Sequence, residues 1–536
     1  MLRELVVNRI RAACLAVALA LAGCQRAEQE SAAPAATPAQ GSAAHVEGIA
    51  WFDGDINSAL AAAAEQHKLV FLYWGAEWCP PCHELKAHVF SRPDFQEKLR
   101  QFVPVYLDGD APSAQRTGEQ YQVMGYPTAV VLKPDGGEIA RIASGQDLTS
   151  YADLLDLALE NVQPLPELLA ALRKDDGRTL SEAECRRFAW NSWGLDPRIE
   201  GDELLAALEL AAARCPEKAA LERDRLLVMS ADLAASSEVD AVKEGRRAGD
   251  RLVALVDAVQ AMLADRERSL ANADALLSLG EDFFVVARRV APGRTAQLQD
   301  GWFALMDAIE TDARFSDTMQ LQSAARRLVA ARALDADGKV PEEVAKRARA
   351  TLDAFLARDY DADARSAIVN SASWVYTYLD DDAGLRALLD KQIAASKTPY
   401  YYYPDIADLE EKAGHKAEAL NWLERGYKES KGPATRFQWG ALYLNGLLRL
   451  APQEEPRIRA AVLEVLGELD GPDRIHARAR SRLDKLDAAL GEWAKKTKNG
   501  ATLTAIGEYW KQVCAGLPET DPVRNECPGL LVAART

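Results

Sequence analysis

Apolar positions along the chain change rhythm several times. They first run unbroken from Ala12 to Ala22, behind Arg3, Arg9 and Arg11, and then almost vanish from Gln25 to Gly48. Leu69-Val70-Phe71-Leu72-Tyr73-Trp74 is a continuous run of strand length, the pattern of a central strand covered on both faces. Phe102 to Leu107 predicts another strand. Ala129-Val130-Val131-Leu132 and Ile139 to Ile142 flank the turn Pro134-Asp135-Gly136-Gly137, a hairpin signature. A helix is expected from about Ser150, with Tyr151, Leu154, Leu155, Ala158 and Leu159 on one face.

Beyond Pro164-Leu165-Pro166 the spacing becomes helical, in long stretches rich in Ala, Leu, Glu and Arg. Leu385, Leu389 and Ile393 form an i, i+4, i+8 stripe, and Ala419, Leu423 and Tyr427 repeat it 34 positions on, as Pro433 follows Pro399. With Gly414 between two helical segments, this period resembles tetratricopeptide units, whose helix pairs stack because one pair cannot bury its own apolar face. The expected fold is an α/β domain over 49–163 and a large all-α domain over 164–536, an α-solenoid or helical array with repeats around 365–450. An irregular helical bundle is the alternative. The aromatics Tyr400 to Tyr403, Trp422, Tyr427, Phe437, Trp439 and Tyr443 are expected to pack in that domain's core, with a peptide-binding groove as the other possibility.

The first apolar run is too short to span a bilayer but suits a secretory leader over 1–23. It ends Leu21-Ala22-Gly23-Cys24, which looks like a bacterial lipobox; that resemblance implies cleavage before Cys24 and lipid attachment to its thiol. An ordinary leader with an incidental cysteine, or an uncleaved anchor, are the alternatives. Residues 24–48 read as a disordered spacer, and Gln25 resembles lipoproteins sorted to the outer membrane. The expected setting is therefore the cell envelope, periplasm-facing, with the lipid bilayer as a partner. The 536 residues are 48% hydrophobic and 27% charged, which argues against collagen-like, wholly disordered and polytopic membrane classes. A formal charge of −17 offers no basic footprint for nucleic acid.

Cysteine usage fits an oxidising compartment. Apart from Cys14 in the leader and Cys24, the cysteines form three neighbouring pairs: Cys79 with Cys82, Cys185 with Cys215, and Cys514 with Cys527. Neighbour pairing is one of several connectivities that six cysteines allow. The second pair would clamp a helix-loop-helix and the third would clip the C-terminal tail; buried free thiols are the alternative for these four. Six scattered histidines and a single C-x-x-C give no zinc pattern, so no metal is expected.

The chemistry points to Trp78-Cys79-Pro80-Pro81-Cys82-His83, which follows the first strand and leads into the helix formers Glu84, Leu85, Lys86 and Ala87. A cysteine at a strand-to-helix junction faces the positive end of the helix, which favours thiolate over thiol. A second cysteine one turn on can displace a mixed disulfide, so Cys79 reads as nucleophile and Cys82 as resolver. A strand, this motif, a helix, another strand and then Gly125-Tyr126-Pro127-Thr128 before the closing hairpin resemble the thioredoxin superfamily over about 110 residues. The stretch from Trp78 to Asp108, including Phe90-Ser91-Arg92-Pro93-Asp94-Phe95, looks most like the C-terminal thioredoxin domain of the inner-membrane disulfide reductase, and Tyr126-Pro127-Thr128 is also similar to protein disulfide isomerases.

The resemblance implies thiol-disulfide exchange, a cis-proline at Pro127 facing the sulfurs, and substrate contact through Tyr126 and Trp78. It also implies protein substrates bearing disulfides or thiols, a membrane electron donor, and no cofactor besides the dithiol. Two positions depart from it: Tyr73 stands where relatives carry a buried acid, with Glu77 as substitute or as an exposed loop carboxylate, and His83 replaces a lysine and reads as a solvated helix residue. Pro80 and Pro81 supply no N–H to Cys79, which leans the motif toward the reducing end. No Walker loop, dinucleotide fingerprint, HExxH or G-x-S-x-G is present. Against the oxidoreductase stands a scaffold reading, in which the helical repeats bind protein partners and the thioredoxin fold is non-catalytic.

Overall fold

The structure, a computed structural model, describes residues 48–531 apart from 110, 124, 144–149, 161–162, 175–176, 197, 246–248 and 433–434. The leader, Cys24, most of the spacer and Pro433 lie outside the described residues. Helix α1 (Ile56–Gln66) is capped by Asp55, whose carboxylate accepts from the Ser58 N–H at 2.8 Å, and it ends at His67 in the left-handed conformation. Strand β1 (Leu69–Gly75) follows, then helix α2 (Pro80–Leu85), one π turn over Lys86–Phe90, helix α3 (Pro93–Leu99) and strand β2 (Phe102–Asp108). Helix α4 (Pro112–Gln120), hairpin strands β3 (Thr128–Leu132) and β4 (Glu138–Ala143), and helix α5 (Ser150–Leu159) complete the α/β domain.

The sheet order is β2-β1-β3-β4, with β1 parallel to β2 and antiparallel to β3. Alternation along β1 sets the two cores. Val70, Leu72 and Trp74 face α1 and α4, while Phe71 and Tyr73 pack with Leu85, Phe90 and Phe95 on the other side. Pro104 is tolerated because β2 is an edge strand, and its carbonyl accepts from the Phe52 N–H at 2.7 Å. The β3–β4 turn requires a left-handed residue, supplied by Gly136 at φ +84°. Helix α4 was not anticipated from the sequence; its signal is Pro112 at the first helical position.

From Leu165 onward the described residues form only helices and their connections. Cys185–Cys215 joins helix Glu182–Trp190 to the end of Gly201–Arg214, and Cys514–Cys527 ties helix Gly500–Gly516 to the last turn of the described chain. The two sequence stripes fall on Asp382–Ala395 and Lys416–Glu429, with Leu385, Leu389, Ala419, Leu423 and Tyr427 buried. Gly414, at φ +85°, makes the turn before the second of these helices.

The two domains share one core. The cluster on the α1 side of the sheet runs through Trp78, Cys79, Cys82 and Tyr126 into Tyr400, Trp439 and on to Trp510. Helix Ala362–Tyr378 packs along α2. Among the described residues no helix is long and apolar enough to cross a membrane.

Candidate functional site: a covered dithiol

Cys79 is the N-cap of α2, with extended backbone, and its Sγ accepts from the Cys82 N–H at 3.2 Å. Pro80 and Pro81 occupy the first helical positions and bring no N–H, so this one donor is what the motif itself offers the sulfur. Cys79 and Cys82 are joined in a disulfide. The Tyr126–Pro127 peptide bond is cis.

Tyr126 is held from α4 and from the loop after β2. Its hydroxyl donates to the Gly109 carbonyl at 3.2 Å and accepts from Gln115 Nε2 at 3.1 Å. Gly109 is required here, since a Cβ would lie 2.3 Å from the Tyr126 ring. Neither Gly109 nor Gln115 stands out in the sequence, because nothing local marks a residue whose role is to let a distant ring approach.

The dithiol is not on the surface. Cys79 is 3% exposed and Cys82 5%, because the helical domain covers them. Trp78 stacks on Tyr401 at 6.1 Å between centroids, meets Trp439 edge-on at 5.5 Å, and meets Tyr126 edge-on at 6.1 Å. Trp439 is fixed in turn by donating its indole N–H to the Tyr400 carbonyl at 2.8 Å. The aromatic cluster of the helical domain is therefore mostly core, and Tyr401 and Trp439 form the seat for Trp78.

Polar contacts ring this seat. Lys86 pairs with Asp363 at 2.8 Å. Ser316 and Thr318, at the start of helix Asp317–Leu334, donate their hydroxyls to the Glu84 carboxylate, which the positive end of that helix also favours. On the other side Arg116 pairs with Asp473, and Arg480 with Glu119.

The structure overturns one sequence expectation, at His83, and places the two other positions, Glu77 and Tyr73. His83 is not solvated: its Nε2–H donates to the Glu77 carbonyl at 2.6 Å, Asp363 lies 3.8 Å from Nδ1, and burial holds its pKa below the ordinary value against both contacts. A neutral imidazole gives the thiolate no counter-charge. Glu77 is exposed and offers its backbone rather than a buried carboxylate. Tyr73 packs on the far face of the sheet, edge-on to Phe90 at 4.8 Å, where the aromatic core takes the space of an acid. No group of His, Cys, Asp and Glu suited to a metal occurs among the described residues.

Residues 56–159 match the model of a thioredoxin-like domain. The thiol:disulfide interchange protein DsbD of Klebsiella pneumoniae subsp. pneumoniae is 34% identical over 102 residues, 18% of this chain and 17% of that protein. DsbD 2 of Pseudomonas aeruginosa is 30% identical over 86 residues, 16% of this chain and 15% of that protein. Thioredoxin H5 of Arabidopsis thaliana is 31% identical over 87 residues, 16% of this chain and 68% of that protein. The match thus spans a small part of the two interchange proteins and about two thirds of the plant thioredoxin.

Proposed function

Because the chain belongs to the thioredoxin family through residues 56–159, we propose that it is a thiol-disulfide oxidoreductase working through Cys79 and Cys82. The observation that carries this reading is the pair itself, bridged at the N-terminus of α2 with Cys79 as the cap. In the reduced protein the Cys79 thiolate attacks a substrate disulfide, forming a mixed disulfide and releasing one substrate sulfur as thiolate. Cys82, deprotonated, then attacks Cys79 and releases the second sulfur, so two electrons pass to the substrate and the Cys79–Cys82 bond closes. Tyr126, Pro127 and Trp78, buried in the closed arrangement, face the substrate when the helical domain lifts off them. A membrane electron donor re-reduces the pair, and no cofactor beyond the dithiol takes part.

The direction is reduction. The thiolate has one backbone N–H and no counter-charge from the neutral His83, so it is stabilised only modestly, and strong stabilisation of the reduced form is what makes an oxidant. The setting is the cell envelope, with the body facing the periplasm on a lipid carried by Cys24; the leader pattern and the bridges Cys185–Cys215 and Cys514–Cys527 favour it. The stripes at 385–393 and 419–427 favour tetratricopeptide-like repeats in the helical domain, which positions partners.

Reduction of a protein disulfide by the purified chain tests the activity. Cys79→Ser abolishes it, and Cys82→Ser accumulates a mixed disulfide through Cys79. Equal activity of wild type and Cys79→Ser removes the nucleophile and the reading with it. The scaffold reading has an observation of its own, the burial of both cysteines under the helical domain, and it is what remains if both variants behave as wild type.

A further inference from the structure

Helix Ala477–Thr497 begins inside the interface, and its first turn carries groups that disulfide exchange does not use. His476 is its N-cap and makes no side-chain capping bond, so the N–H groups of the first turn have no partner within the helix. Arg478, in that first turn, is 3% exposed and His476 4%. The Arg478 guanidinium lies over the Tyr126 ring, 4.5 Å from its centroid. Its Nε, Nη1 and Nη2 have no hydrogen-bond partner, and neither has His476 Nε2.

These groups border a small cavity of about 10 Å³, room for one water-sized body. Trp74, Gln115, Glu119 and Tyr126 line it from the thioredoxin domain, His476 and Arg478 from the helical domain. One Glu119 carboxylate oxygen accepts from Arg480 and the Tyr126 hydroxyl accepts from Gln115, and no acceptor of the lining reaches the Arg478 guanidinium. On the helical-domain side the unpaired groups are Arg478 donors with their positive charge, and His476 Nε2. The charged neighbours acting on His476 are Arg478, Arg482 and Arg480, and together with burial they hold its imidazole neutral. A buried guanidinium facing only a ring needs a counter-charge. A water molecule accepts from two of these donors and brings two more of its own, with no counter-charge.

We propose that this cavity binds a single chloride-sized anion, held by the Arg478 guanidinium and the first-turn N–H groups of helix Ala477–Thr497. The small volume favours a monatomic anion over phosphate and sulfate. Since its walls come from both domains, the anion ties the helical domain to the thioredoxin domain behind Tyr126, independently of whether the dithiol exchanges disulfides.

Crystals of the full chain soaked in sodium bromide, measured at the bromine absorption edge, are expected to show an anomalous peak in the cavity within hydrogen-bond reach of Arg478. In solution, sodium chloride titrated against sodium gluconate at constant ionic strength is expected to raise the Tm saturably, and Arg478→Gln to remove that response. An ordered water without anomalous signal overturns the proposal. So does a bromide peak without any saturable response to chloride, which is binding at crystal concentration only, and so does an undiminished chloride response in Arg478→Gln. Should Arg478→Gln not fold, the bromide map and the titration of the wild-type protein decide the matter.

Discussion

Removing the Tyr401 ring should make the reduced dithiol react faster without touching the sulfurs. Tyr401 is half-buried and stacks on Trp78, the residue before Cys79, with an interplanar angle of 25°. An aromatic pair of this kind contributes about 0.5–1.5 kcal/mol beyond the area it buries. Tyr401→Ala therefore weakens the closed arrangement by about 1–2 kcal/mol, which raises the open population roughly 5- to 30-fold. When closing outpaces labelling, the alkylation rate follows that population. The assay mixes anaerobically reduced protein with N-ethylmaleimide, quenches at intervals, and measures the Cys79 peptide by mass spectrometry. Tyr401→Phe keeps the ring and should label at the wild-type rate. If reduced wild-type protein already labels as fast as a short Cys-Pro-Pro-Cys peptide, and Tyr401→Ala changes nothing, the helical domain does not cover the reduced pair and the reasoning fails.

Gly109→Ala places a methyl 2.3 Å from the Tyr126 ring, so it should destabilise the fold by about 1–3 kcal/mol and slow disulfide reduction; an unchanged thermal melt would show that Tyr126 moves freely. His476 is pushed down to about 3 by burial and by Arg478, Arg482 and Arg480, whereas in the unfolded chain it titrates near pH 6.5. Its contribution to stability is therefore whole above about pH 6.5 and drains away as the pH falls toward 3, with a slope approaching about 1.4 kcal/mol per pH unit. Denaturant unfolding from pH 7 to 5 in gluconate buffer should show a shallower decline for His476→Gln than for wild type, and equal slopes would count against a buried neutral imidazole. Replacing Cys514 and Cys527 together by Ser removes a bridge of sequence separation 13 and should cost about 3 kcal/mol in the same experiment, while leaving reduction by Cys79 intact.

The placement of the dithiol was legible in the sequence because it is local. A strand, a cysteine cap and a resolving cysteine are contiguous, and Tyr126-Pro127 announces itself by standing before a hairpin. The cover was not legible. Tyr401 and Trp439 lie more than 300 positions from Trp78, and helical spacing reports that a face is buried without saying against what. Their aromatic neighbours do belong to the helical core, so composition gave no reason to single out these two. His83 shows the same limit: its position on α2 reads as solvated until helix Ala362–Tyr378 is laid along it. Glu84, Lys86 and Arg116 likewise look like ordinary surface charges, and each pairs across to the helical domain.

The cover acts on reactivity in two ways that add. It denies a protein disulfide access to Cys79, and it removes the water that would solvate an ionised sulfur there. Within the motif only the Cys82 N–H opposes that desolvation. On the proposed function, opening the seat around Trp78 supplies both approach and ionisation in one movement, and a substrate and an electron donor each use it, since both react at the same sulfur. The contacts that hold it shut are of unequal kind: aromatic at Tyr401 and Trp439, ionic at Asp363 and Asp473. Raising the ionic strength screens the partly exposed pairs and leaves the rings in place, so alkylation of the reduced pair should quicken far less in 1 M salt than on loss of the Tyr401 ring. A salt effect as large as that of Tyr401→Ala would move the latch from the aromatic seat to its charged rim.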